Sequence, residues 1–134
     1  MIKKCLSLKQ PYAQLVASGK KTIELRTWNT KFRGEFLIHA SKKIDVKAYE
    51  RLKIDPHSLI TGAIIGKVNL YDVKSYDSRE SLMRDRKRHF ADVDDIDPGF
   101  GFKIKDAQKF REPIIIPGKL GFFNIEIKLF QKCR

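Results

Sequence analysis

The chain has 134 residues and a mass of 15.6 kDa, enough for one domain with a real core and no need of disulfides or metals to staple it. Hydrophobic residues make up 42% and charged residues 33%, which excludes a disordered chain, and no run approaches the roughly 18 apolar residues of a membrane span. A net charge of +12 and a pI near 9.8 suit a polyanionic partner, because each phosphate neutralised by Lys or Arg releases condensed counterions.

Lys4 to Leu8 alternates Leu6 and Leu8 with polar neighbours and predicts a half-buried strand that stops at Pro11. A helical pattern of about two turns follows, with Tyr12, Leu15 and Val16 on one face and Gly19 as a left-handed stop. Thr22 to Trp28 returns to period two. Ile23, Leu25 and Thr27 fall on the core face, and Thr22, Glu24, Arg26 and Trp28 on the other. After a turn at Arg33-Gly34, a strand over Glu35 to Ser41 sets Phe36, Ile38 and Ala40 opposite Leu37, His39 and Ser41.

Asp45 is predicted to cap a helix to about Ile54 that turns Val46, Tyr49 and Leu52 inward, and Asp55-Pro56 ends it. Gly62 to Val73 is rich in β-formers and predicts a long strand that bends at Gly66. Asp77 and Glu80 are spaced like the ends of a capping box before a helix over Ser78 to Phe90, which carries Arg79, Arg84, Arg86, Lys87 and Arg88. That basic helix is followed by Asp92, Asp94, Asp95 and Asp97, so it is either a solvated, internally neutralised face or a phosphate contact. Strands over Phe100 to Lys105, Pro113 to Ile116 and Phe122 to Leu129 close the chain. The expected class is α+β, one domain over residues 1–134, with a curled or closed sheet and two to three flanking helices.

Charge is concentrated at the start: up to residue 43, ten Lys and Arg face only Glu24 and Glu35. Two segments there, Leu6-Ser7-Leu8-Lys9-Gln10-Pro11-Tyr12 and Gly19-Lys20-Lys21-Thr22-Ile23-Glu24-Leu25-Arg26-Thr27-Trp28, resemble the ASCH family. The resemblance continues through Arg33-Gly34, His39-Ala40-Ser41 and Gly62-Ala63-Ile64-Ile65-Gly66, and more loosely through Phe100-Gly101-Phe102. It implies a PUA-like β-barrel, akin to RNA-binding modules, with the Gly-x-Lys-x-x-Glu-x-Arg segment lining a cleft between the sheet and the first helix. The family includes nucleic-acid-binding proteins and amidohydrolases that act on N4-acetylcytidine, and fusions in the wider family imply a third role, binding other proteins.

For such a cleft the residues predict a binding set of Lys9, Gln10, Tyr12, Lys20, Lys21, Thr22, Arg26, Trp28, Arg33, His39 and Ser41. Cations hold phosphate or sugar, while Trp28 or Tyr12 offers a plane for base stacking. Glu24 is an acceptor that a purely electrostatic site would avoid. It either reads a base amino group, serves as a general base, or pairs with Arg26 two residues on. Trp28 either stacks on a ligand or plugs the barrel, and His39 is either a satisfied structural residue or an acid-base group. The leading expectation is therefore RNA or single-stranded nucleic acid as partner.

The rival is removal of an acyl group from a modified nucleoside. Lys21 matches the lysine of the acetylcytidine-hydrolysing members, which carry threonine where this chain has Glu24. Lys20 and Arg26 are expected to lower the pKa of Lys21 by like-charge repulsion, and Glu24 then takes the part of base.

No cofactor or metal is expected: three histidines and two cysteines show no ligand spacing, and no Walker loop, dinucleotide fingerprint or nucleophile elbow occurs. The aspartates from Asp92 fail as a calcium loop, since Ile96 stands at the third ligand position and no glutamate ends it. The N-terminus lacks a secretory apolar segment, so the expected location is the cytoplasm, with Cys5 and Cys133 as buried or inert thiols and no membrane partner.

Overall fold

A computed structural model describes residues 1–127. In chain order the elements are β1 (Ile2–Gln10), α1 (Tyr12–Ala17), β2 (Ile23–Arg26), β3 (Gly34–Ile44) and α2 (Val46–Leu52). They continue with β4 (Ala63–Ser75), α3 (Arg79–Arg84), α4 (Arg86–His89), β5 (Phe100–Ile115) and β6 (Phe122–Glu126). The strands form one mixed six-stranded sheet in the order β2-β5-β4-β3-β1-β6. Only β1 and β3 run parallel; every other neighbouring pair is antiparallel. No described helix is long and apolar enough to cross a membrane.

The α+β class is as expected, but the barrel is not closed by hydrogen bonds, for β2 and β6 remain the two edges of the sheet. Aromatic packing brings those edges together instead. Phe122 of β6 stacks on Phe102 of β5 with ring centroids 6.1 Å apart, and meets Phe36 of β3 edge-on at 5.3 Å. Trp28, just past β2, contacts Phe102 at 5.3 Å and Phe122 at 5.8 Å. Helix α1 completes this core, laying Ala13, Val16 and Ala17 on Leu6, Leu8, Phe36 and Ile38. A second cluster of Cys5, Leu37, Ile64 and Phe110 is covered by partly buried side chains from the C-terminal segment, Phe123 and Ile125 among them. The alternation in β1 and β3 thus sends Leu6, Leu8, Phe36 and Ile38 to one cluster and Cys5 and Leu37 to the other. Burial pushes the Cys5 thiol up to about 12, which keeps it protonated and inert.

Several boundaries differ from the sequence reading for local reasons. The two strands expected over Phe100–Lys105 and Pro113–Ile116 are one continuous β5, because Asp106 takes a left-handed conformation (φ 57°) and lets the ladder shift register without ending. β4 is irregular between Ile64 and Gly66, where a Cβ on Gly66 would come within 2.5 Å of the Gln108 carbonyl oxygen, so glycine there permits the backbone crossing. β2 stops at Arg26, which leaves Trp28 free to turn into the aromatic cluster. Ser78, not Asp77, caps α3, and Ser81 returns the bond to it. The long basic helix is split at Asp85, whose carboxylate is drawn to Lys74 at 2.8 Å and the Tyr76 hydroxyl at 2.6 Å. Asp45 caps α2 as predicted, accepting from the Ala48 amide, but Val46 is exposed and Ala48 takes its place beside Tyr49. Of the closing strand, Leu129 lies outside the described residues, as does Cys133.

Phe122 touches four other rings across the gap between the sheet edges, so Phe122→Ala should destabilise the fold by about 3 kcal/mol. Urea unfolding checks this: the midpoint should fall with little change in slope.

Candidate functional site

β2 carries its polar residues on the face predicted by its alternation, and the first consequence is a buried charge network. Lys21 is 3% exposed and Glu24 7%, positions that charged side chains occupy only when paired. One Glu24 oxygen lies 3.5 Å from the Lys21 ammonium, and the other accepts from Arg26 Nε at 3.0 Å and Nη2 at 2.9 Å. Arg26 Nη2 also donates to the Ser7 carbonyl on β1 at 2.8 Å, and Lys21 donates to the His89 carbonyl at the end of α4. The ion pair weighed for Glu24 and Arg26 is therefore present, but it is buried and three-membered rather than solvated.

Burial holds the Lys21 ammonium below the ordinary lysine range; Glu24 opposes that shift, and Arg26 reinforces it only weakly. The direction is the one anticipated, but its main cause is desolvation rather than like-charge repulsion. The Tyr12 ring lies 5.1 Å from the Lys21 ammonium, and the Tyr12 hydroxyl accepts from Arg51 Nη2 at 3.1 Å. Arg51 reaches on to the Phe90 carbonyl, tying α2 to the segment after α4.

Outside this network opens a cleft of about 1120 Å³. Its walls come from β1, β2, β3, α2, the segment after α4 and the loop between β5 and β6. Of the predicted binding set, the structure brings Lys9, Tyr12, Lys21, Arg26, Trp28, His39 and Ser41 to this cleft, with Glu24. The other four lie elsewhere. Gln10 is buried, donating to the Ile60 carbonyl and accepting from the Gln14 amide. Thr22 faces Arg88, Arg33 bonds the carbonyls of Thr30 and Phe32, and Lys20 is exposed beyond α1. Trp28 is chiefly a plug between the sheet edges, with the Arg26 guanidinium 6.0 Å from its ring.

The cleft also takes in residues the sequence reading did not single out. Lys42, Lys43, Lys47, Arg51 and Lys119 are exposed and line it with Lys9, and the carboxylates Asp45, Asp92 and Asp95 line it too. A signal existed for two of these, since Lys42 and Lys43 directly continue the His39-Ala40-Ser41 strand. Ser7 is the other omission. It is the register partner of His39 in the parallel β1–β3 pair, and its Oγ lies 2.9 Å from His39 Nδ1. Among the described residues no group of three or more His, Cys, Asp and Glu gathers where a metal would bind. The basic helix is neutralised in part as weighed, Arg79 pairing with Asp94 at 2.6 Å.

A curled mixed sheet with a helix across its core and a cation-rimmed cleft defines a PUA-like α+β protein. The chain belongs to the ASCH domain family, whose model matches residues 6–112. Solved structures agree. ASCH from Zymomonas mobilis superposes with a TM-score of 0.60 at 20% identity, over 84% of this chain and 72% of that one, and a single-substitution variant of it scores 0.59. Activating signal cointegrator 1 is 29% identical in Homo sapiens and 28% in Mus musculus, over 97% of this chain. The chain spans about a quarter of the length of those relatives, 23% in each.

His89 supports the site from below and sets a pH limit. Its Nε2 donates to the Leu82 carbonyl at 2.8 Å and its Nδ1 accepts from the Ala91 amide at 3.0 Å, so the buried ring is neutral. Burial lowers its pKa below the ordinary 6.5. Below that value the unfolded chain takes the proton first, so stability should fall as pH falls. Unfolding free energies measured between pH 7 and 5 should decline in the natural chain and more weakly in His89→Gln.

Proposed function

We propose that the cleft binds single-stranded nucleic acid, RNA foremost, with rim cations on the backbone and the Arg26–Glu24 pair meeting a base edge. The ASCH domain is a PUA-like fold of the RNA-binding type, and its family is generally associated with nucleic acid. The observation that carries the reading is the arrangement of charge around the cleft. Lys9, Lys42, Lys43, Lys47, Arg51 and Lys119 ring an opening whose inner wall holds Arg26 and Glu24. At about 1120 Å³ the cleft exceeds the roughly 300–1,000 Å³ of small-molecule sites, room for more than one nucleotide unit. Arg26 spends Nε and Nη2 on Glu24 and Ser7, which leaves its Nη1 edge to meet a ligand acceptor. Glu24, fixed by two cations, offers remaining lone pairs to an amino group. Stacking contributes less than the sequence suggests, because Tyr12 is close to the Lys21 ammonium and Trp28 serves the core.

Hydrolysis through Lys21 and Glu24 has less support. The ammonium is directed at the His89 carbonyl and Glu24 beneath Tyr12, an anchoring geometry rather than one that presents it to a substrate.

Fluorescence anisotropy with a short RNA tests the binding reading. Six rim contacts imply a drop in affinity of about 300-fold between 50 and 200 mM salt, at a slope near 0.7 per phosphate contact for a single strand. Lys43→Ala and Lys47→Ala should each flatten the slope by about 0.7, one contact's worth, whereas Arg33→Ala, outside the cleft, should leave it unchanged. Absent or salt-independent binding would contradict the proposal.

A further inference from the structure

Besides its cations, the cleft contains an unassigned pair of side chains with the geometry of a nucleophile and its base. Ser7 on β1 and His39 on β3 are register partners, and both line the cleft. His39 Nε2 lies 2.8 Å from the Ile116 carbonyl oxygen. A carbonyl only accepts, so that nitrogen carries a proton, and in the neutral ring Nδ1 is then the acceptor. The Ser7 hydroxyl, 2.9 Å away, donates to it. The Ile116 carbonyl thus fixes both tautomer and ring orientation, the part played by the third group wherever a hydroxyl is activated by an imidazole.

Two further features fit a reaction rather than a purely structural hydrogen bond. The Arg26 guanidinium is held on the carbonyl of Ser7 itself, which brings a fixed positive charge within a residue's reach of the hydroxyl. The loop between β5 and β6 lies directly over the pair: a Cβ on Gly118 would fall 2.5 Å from Ser7 Oγ and 2.8 Å from His39 Cε1. Only glycine lets the loop approach so closely, which limits the water around the hydroxyl while leaving Ser7 partly exposed to the cleft.

We propose that Ser7 and His39 form a catalytic pair for acyl transfer from carboxylic esters that enter the cleft beside Arg26. The Ser7 O–H bond breaks as its proton passes to His39 Nδ1, and Oγ bonds to the acyl carbon while the carbonyl electron pair moves onto oxygen, facing Arg26. Collapse breaks the bond to the alcohol oxygen, which takes the proton from His39. Water then attacks acyl-Ser7 by the same route, releasing a carboxylic acid and restoring the hydroxyl. Esters are the fitting class because a neutral carbonyl behind the imidazole stabilises its cation less than a carboxylate does, and alcohols leave more readily than amines.

A fluorophosphonate reports this pair without nucleic acid, so its outcome is independent of the binding reading. The full chain is incubated with the probe, and the adduct is located by peptide mass. The expected result is one adduct, on Ser7, with loss of fluoride, absent in Ser7→Ala and formed at least tenfold more slowly in His39→Gln. No labelling of Ser7 under prolonged excess, labelling spread over several serines, or an adduct on Tyr12 or Lys21 instead would overturn the proposal. An unchanged rate in a folded His39→Gln would do so too. Should that variant fail to melt cooperatively, the selectivity for Ser7 in the natural chain decides.

Discussion

A single carboxylate, Glu24, pairs with two cations that the fold has largely withdrawn from water, the buried Lys21 and the partly buried Arg26. Lys21 and Arg26 reach it from either side, and each also grips a carbonyl of another element, His89 at the end of α4 and Ser7 on β1. Removing one partner of such a buried network leaves an uncompensated charge and costs about 3 to 5 kcal/mol. The network therefore does more than decorate a surface. It fixes the edge strand β2 against β1, with which β2 shares no ladder, and sets the inner wall of the cleft.

The charges divide into two kinds with different work. Lys21, Glu24 and Arg26 are immobile and sum to one positive charge in a poorly solvated setting, where a field toward an anion is least screened. Lys9, Lys42, Lys43, Lys47 and Lys119 are exposed at the cleft, and Arg51, also exposed, is held by the Tyr12 hydroxyl and the Phe90 carbonyl. Three carboxylates, Asp45, Asp92 and Asp95, line the cleft as well, so the positive field is uneven.

Much of this was legible in the chain because it depends on local periodicity. Within β2, alternation puts Glu24 and Arg26 on the cleft side and Ile23 in the core, but Leu25 and the exposed Thr27, expected in the core, line the cleft too. The Asp45 cap and the two faces of β3 were readable from local pattern. What stayed hidden depends on pairing between distant segments. Ser7 meets His39 only through a parallel register, and Ile116 orients the ring from 77 residues away. Thr22 fits the β2 alternation yet sits before the strand begins and turns to Arg88. β5 read as two strands because its middle is polar, although a left-handed Asp106 keeps it continuous. Trp28 illustrates the limit well: alternation gave its side of the strand, but only the meeting of β2 and β6 makes it a plug.

A nucleic acid strand bound as proposed sits in the cleft beside Glu24 and Arg26. An NMR titration of the isotopically labelled chain with a short RNA tests that most directly, since Arg26 and Trp28 line the cleft and their side-chain N–H signals report on it. The account predicts that these signals, with the amides of Ser41 to Lys47, shift together and saturate at one equivalent. Shifts confined to Arg33, Lys20 and the exposed ends of β4 and β5, with Arg26 and Trp28 unmoved, would contradict it.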